Sequence, residues 1–183
     1  MYEIIPAILP KNENELREGI NRLPQDITFF HMDVLEDDIW VLNDRDFEVH
    51  LMVDKPEEIM GRWIERGAKR ISVHTAGNSL AKYREKAEIG LAVELDKNLD
   101  EVMPFLDFVD FIHLMSIDEI GQQGHALDEN IFNRIKLVQK NFPNLPIAVD
   151  GGININNYQK LIDLGADRLV IGSHFTEVWS KIS

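Results

Sequence analysis

Short β-branched and apolar runs alternate with amphipathic segments along the whole chain, the mark of repeated βαβ units. Eight runs read as strands, over residues 3–8, 27–34, 47–53, 70–74, 89–95, 109–116, 146–150 and 168–171. Seven stretches carry helical periodicity, over residues 13–22, 56–66, 79–86, 99–105, 129–139, 155–164 and 176–181. Gly67-Ala68 and Gly165-Ala166 end their helices as glycine C-caps do and lead into the next strand. No linker, low-complexity tract or longer repeat interrupts the series. The pattern predicts one domain over residues 1–183, a compact α/β fold of the (β/α)8 TIM-barrel type.

One helix is short of the full set. Only residues 36–46 separate strands two and three, and a crossover helix with its loops takes at least about 10–12 residues. A short helical turn around Trp40 or an extended loop is expected there, with the helix reduced or missing. The length of 183 residues also lies below the range of about 200 or more that such barrels occupy. Without that helix, the outer faces of Phe30, Met32, Val49 and Leu51 lose their cover, and a second subunit is one way to restore it. A homo-oligomer is therefore an expectation.

Strand periodicity sorts side chains by direction. In a parallel strand covered by helices, outward residues are apolar, and inward ones near the C-terminal end can be polar. Phe30, Met32 and Val34 face outward, so His31, Asp33 and Leu35 face in. By the same rule His50, Met52, His74, Glu94, His113, Met115 and Asp150 face in. His125 and His174 fall in the loops after strands six and eight. All 6 histidines thus lie at or just after strand C-termini, the rim where (β/α)8 barrels build active sites. Chance placement, with some histidines as satisfied core residues, is the competing reading.

His31, Asp33, His50 and Asp150 are placed to converge from strands two, three and seven. Two imidazoles and two carboxylates suit one divalent transition metal ion, such as zinc, iron, manganese or cobalt. The alternative is that His31 pairs with Asp33 or Asp150 without metal. Gly151-Gly152 and Gly172-Ser173 precede the last two helices, where barrels of this kind hold phosphate; tight βα turns alone would also use glycine.

Composition narrows the partners. The net charge of -13 argues against nucleic acid, whose backbone calls for a basic surface. A small phosphorylated molecule remains compatible, because backbone N–H groups can hold it. No apolar run approaches the roughly 20 residues of a membrane span, and residues 1–10 lack a secretory signal pattern. With 0 cysteines, disulfides and thiolate metal sites are excluded, and a cytoplasmic location is expected.

Ile5-Pro6-Ala7-Ile8-Leu9, His31-Met32-Asp33-Val34, Val49-His50-Leu51-Met52-Val53 with Pro56, Met115-Ser116, Val149-Asp150-Gly151-Gly152-Ile153 and Gly172-Ser173 occur in the order of a known family. Over nearly its whole length the chain resembles the ribulose-phosphate (pentulose-5-phosphate) 3-epimerases. The resemblance implies an isomerase of carbohydrate metabolism that epimerises a ketose phosphate at C3, with ribulose 5-phosphate or a related sugar as substrate. It implies a metal held by His31, Asp33, His50 and Asp150, with Asp33 and Asp150 also the catalytic acid/base pair. Proton removal beside a ketone, followed by return to the opposite face of an enediolate, needs two such carboxylates. Met52, His74, Glu94, Met115, Gly121, Gly124 and His125 are then expected around the substrate, although core packing is the competing reading for the methionines.

The chain also departs from that family. Ala7 replaces a serine, and Glu94-Leu95 replaces an Asn-Pro. Residues 35–40 replace the Met-Asp-Gly-x-Phe-Val-Pro-Asn stretch, and residues 118–125 replace a Pro-Gly-x-Gly-Gly-Gln loop. These changes touch the sugar more than the metal. They motivate the alternative of a catalytically silent barrel that binds a sugar phosphate or a protein partner. A decarboxylase of similar fold is disfavoured, since its Asp-x-Lys-x-x-Asp arrangement is absent from Glu48-Val49-His50-Leu51-Met52-Val53.

Overall fold

Eight parallel strands close on themselves in the order β1-β2-β3-β4-β5-β6-β7-β8. They are β1 Glu3–Ile8, β2 Phe29–Val34, β3 Asp46–Leu51, β4 Arg70–Val73, β5 Glu88–Val93, β6 Phe111–Met115, β7 Ile147–Asp150 and β8 Arg168–Ile171. The computed structural model describes residues 2–35, 38–118, 121–122 and 124–182. The expected barrel is present, with several strands ending one or two residues earlier than the apolar runs suggest.

The helices are α1 Glu13–Arg22, α2 Met60–Glu65, α3 Leu99–Val102, α4 Asn130–Asn141, α5 Tyr158–Asp163 and α6 Phe175–Ile182. α1 starts at a capping box: Asn12 accepts from the Glu15 N–H, and Glu15 accepts from the Lys11 N–H. Its Leu16 and Ile20 are buried against the barrel. Four expected helices are weaker than their periodicity. Residues 56–66 open as a 3-10 turn at Pro56–Glu58 and are α-helical only over Met60–Glu65. Residues 79–86 form a 3-10 segment, Asn78–Tyr83. The helix at 99–105 holds one α-turn and passes into a 3-10 segment at Met103–Phe108, where Pro104 supplies no N–H. The helix at 155–164 begins only at Tyr158. Asn157 Oδ1 accepts from Asn154 N–H, and Asn154 Oδ1 accepts from Asn156 N–H. These side chains compete with the helical ladder for its first donors.

Between β2 and β3 no helix forms among the described residues 38–45. Glu36 and Asp37 lie outside the described residues. The segment is nevertheless a lid on the barrel wall. The Trp40 ring lies 5.0 Å from Phe47 and 5.8 Å from Trp63, and Val41 is buried. Arg66 stacks over both indoles, and Asp38 ties Arg62 and Arg66 together above them. Arg45 anchors the far end by donating to the Leu23, Pro24 and Ile27 carbonyls. Phe30, Met32, Val49 and Leu51 are therefore fully buried by their own chain. The uncovered wall that motivated a second subunit is absent, because an extended segment carrying a large ring does the work of a helix.

Inside the barrel, polar residues occupy the inward positions at both ends. At the N-terminal end Arg70 donates to Glu3 at 2.8 and 2.9 Å and to Glu48 at 3.3 Å, while Arg168 donates to Glu88 at 2.7 Å. At the C-terminal end stand the histidines and aspartates.

Candidate active site

Register places the four candidate ligands. Asp33 of β2 is the lateral partner of His50 in β3, and Asp150 of β7 is the partner of Met115 in β6. His31 stands two residues before Asp33, on the same inward side. One ligand atom from each of His31, Asp33, His50 and Asp150 lies within 4.8 Å of all the others. Donors about 2.1 Å from a shared ion can stand at most about 4.2 Å apart across it, so shifts of a few tenths of an ångström would close the set.

Hydrogen bonds decide which nitrogens face this centre. His31 Nδ1 is 2.8 Å from Glu48 Oε1, so that nitrogen carries a proton and donates it. His31 Nε2 is then directed at Asp33 Oδ1, 3.2 Å away. His50 Nε2 meets His74 Nε2 at 2.8 Å. His50 Nδ1 is buried without a hydrogen-bond partner, 3.5 Å from Asp33 Oδ1 and 3.7 Å from Asp150 Oδ2. A buried polar atom left unpaired between two carboxylates is placed to ligate a cation. Two neutral imidazoles and two carboxylates carry a charge of −2, which one divalent ion balances. The residues fit the metal.

Protonation without an ion follows the same logic. Burial pushes the His31 and His50 imidazolium pKa values down, but carboxylate neighbours outweigh it: Asp33 and Glu48 for His31, Asp150 and Asp33 for His50. Both are raised, His31 strongly. Burial pushes Asp33 and Asp150 up, yet both are held below the usual carboxylate range, Asp33 by His31 and His50, Asp150 by His113 and His50. Protons on the two histidines do the balancing that a cation would do.

A cavity opens above Asp33 and Asp150. Met52, Met115, Gly121, Gly124 and His125 line it, as do Gly151, Gly152, Gly172 and Ser173. Ala7 and His174 join them. Glu119, Ile120 and Gln123 of the loop after β6 lie outside the described residues. Gly151 and Gly152 have φ of 110 and 64, and a Cβ on Gly152 would meet the Leu127 backbone nitrogen at 2.2 Å. Only glycine fits that corner. Leu35 is not inward: β2 ends at Val34, and Leu35 is 40% exposed, against Gly121.

His74 and Glu94 do not line this cavity. His74 adjoins His50, and Glu94 adjoins His74. His74 stacks on His50 at 4.9 Å, and its Nδ1 faces Glu94 Oε1 at 3.3 Å. Three further residues complete the site's foundation. Glu48 buttresses His31. His113, fully buried, sits 4.6 Å from the His50 ring, with Nε2 3.2 Å from Asp150 Oδ2 and Nδ1 3.1 Å from Ser72 Oγ. The inward period of strands three, four and six marks Glu48, Ser72 and His113, but nothing in the sequence names their partners.

A closed barrel with a four-donor centre at the C-terminal ends of β2, β3 and β7, beneath a glycine-lined cavity, defines the class: a (β/α)8 protein with a built polar site at its mouth. Residues 3–176 match the family described as Ribulose-phosphate 3 epimerase family, and the chain belongs to it. The ribulose-phosphate 3-epimerase of Mycoplasma genitalium is 36% identical over 147 residues, 74% of this chain and 68% of that protein. That of Aquifex aeolicus is 30% identical over 136 residues, covering 69% and 61%. The chloroplastic ribulose-5-phosphate-3-epimerase of Arabidopsis thaliana is 27% identical over 197 residues, covering 93% and 70%. The matched stretch thus spans about three fifths to seven tenths of these relatives' length. Among solved structures, KGPDC from Streptococcus mutans superposes with a TM-score of 0.71 at 12% identity, covering 99% and 98% of the two chains. Phosphoribosyl anthranilate isomerase from Thermus thermophilus gives 0.65 at 11%, covering 98% of each. At such identities these two speak for the fold alone. Among the described residues no helix is long and apolar enough to cross a membrane.

Proposed function

We propose that this chain epimerises a ketose phosphate at C3, interconverting ribulose 5-phosphate and xylulose 5-phosphate or a closely related pair. The observation that carries the reading is the placement of Asp33 and Asp150, from different strands of the barrel, at one four-donor centre under the cavity. His31, Asp33, His50 and Asp150 would hold one divalent ion. Such an ion, when bound, supplies positive charge for the ketone and neighbouring hydroxyl oxygens of the substrate.

The chain's own residues do the rest. One aspartate removes the C3 proton, and the other returns a proton to the opposite face of the enediolate. Backbone N–H groups of Gly172 and Ser173, just before α6, and the turn at Gly151-Gly152 would receive the phosphate. Met52 and Met115 give the sugar a dry floor. The loop carrying Gly121 and Gly124 reaches Leu35 across the opening and would limit water.

The test is deuterium incorporation at C3 in heavy water, followed by NMR with ribulose 5-phosphate and other ketose phosphates. Incorporation that disappears in Asp33→Asn and Asp150→Asn supports the reading. Bound metal with no exchange into any ketose phosphate would sink it and favour a silent, sugar-phosphate-binding barrel.

A further inference from the structure

Three strands in succession present a linear array at the barrel rim: His50 in β3, His74 just after β4, and Glu94 just after β5. We infer that His74 and Glu94 are positioning residues that fix the tautomer of His50, so that the metal affinity of the centre depends on two side chains that never touch the ion. This inference rests on the metal-centre reading above.

The argument is one of proton counting. His50 Nε2 and His74 Nε2 are 2.8 Å apart, so one and only one of them carries the intervening proton. If His74 held it, neutral His74 would turn the lone pair of Nδ1 toward Glu94 Oε1, 3.3 Å away, and two acceptors would face each other. If His50 holds it, His74 Nε2 accepts, His74 Nδ1 carries a proton, and that proton faces the Glu94 carboxylate. The second assignment sets no two acceptors against each other, and it leaves the lone pair of His50 on Nδ1. That is the buried atom without a partner, aimed between Asp33 and Asp150. His74 Nδ1 itself has no well-aligned bond in the structure. Glu94 is about one third exposed and can turn to meet it. Lys97 Nζ lies 3.6 Å from Glu94 Oε2.

Geometry supports a positioning role over a substrate contact. The His50 and His74 rings are stacked at an interplanar angle of 23°, which restrains rotation of both. His50 is fully buried, and neither His74 nor Glu94 lines the cavity. Glu48 serves His31 in the same way from the other side, so each ligand imidazole has its outer nitrogen engaged by a separate group. Such outer partners of metal-bound histidines raise affinity by about 10–100-fold.

The experiment measures cobalt(II) binding to the full chain, stripped with a chelator and titrated in competition with a chromophoric chelator, with circular dichroism to check folding. His74→Leu is expected to bind about 10–100-fold more weakly than wild type, and Glu94→Ala about 10-fold more weakly. His74→Gln should recover much of the loss, because its carboxamide oxygen accepts from His50 Nε2–H. The visible cobalt spectrum should change in His74→Leu and return in His74→Gln. Should His74→Leu fail to fold, weakened binding in Glu94→Ala still supports the chain, and undiminished binding there overturns it. Equal affinity in wild type, His74→Leu and Glu94→Ala overturns the chain and leaves the metal centre standing. No binding by wild type overturns the centre and the chain with it.

Discussion

His50 Nδ1 lies 3.5 Å from Asp33 Oδ1 and 3.7 Å from Asp150 Oδ2, buried and unpaired, so one imidazole faces two carboxylates from separate parts of the barrel. That relationship is strained electrostatically unless a proton or a cation sits among the three groups. Binding of a divalent ion is therefore expected to stabilise the fold. At a free ion concentration 100 times the dissociation constant, the gain is about 2.7 kcal/mol. Thermal melts with and without ion should show it for wild type and lose it for Asp150→Ala. An equal shift in both proteins would move the binding site elsewhere.

Glu48 joins the centre to the base of the barrel. It is 4% exposed and bonds His31 on one side and Arg70 on the other. Glu48→Ala removes one partner of a buried ionic pair and leaves the others uncompensated, a change that costs about 3–5 kcal/mol. Urea unfolding measures it. A loss under about 1 kcal/mol, the scale of an exposed pair, would mean that Arg70 is satisfied by Glu3 alone.

Acid should release the segment that stands in for the missing helix. Hydrogen bonding from Arg66, opposed by slight burial and reinforced by Arg62, holds Asp38 below its ordinary value of 3.8. A depressed carboxylate contributes stability that is present above that ordinary value and is lost as pH falls through the depressed one. The segment over Trp40 and Trp63 should thus stay closed at neutral pH and loosen below about 3.8. Tryptophan fluorescence reports it, since Arg66 packs on both indoles. In Asp38→Asn the neutral-pH spectrum should already resemble the acid one, and an unchanged titration would refute the link.

Two glycines make a matched pair. Gly152→Ala forces a side chain into a φ of 64 and onto the Leu127 backbone, a cost of about 1–3 kcal/mol from the backbone conformation before any clash is counted. Gly61, within α2, has nothing within 4 Å of an added Cβ, and Gly61→Ala should stabilise by about 0.8–1.0 kcal/mol. Denaturation midpoints of the two variants, moving in opposite directions, would check both.

Much of this architecture was readable because it is local. The two-residue period of strands put His31, Asp33, His50 and Asp150 on inward faces without any coordinates, and the structure brings those four donors together. Helix strength was less legible. Residues 155–164 have helical periodicity, but Asn154, Asn156 and Asn157 spend their hydrogen bonds on one another, and Tyr158 starts the helix. The bare wall expected over β2 and β3 does not exist, because Trp40 lies on it without being helical.

What the chain's pattern determined alone was which residues point inward and at which end of each strand, since alternation follows from the geometry of a single strand. Which inward residues touch was settled by closure of the barrel. Closure sets Asp150 of β7 beside His50 of β3, seats His74 beside that ligand and Glu94 beside His74, and gives His113 an aspartate to hold. Those contacts join residues distant in sequence, and their distances depend on strand stagger and curvature that no single segment encodes.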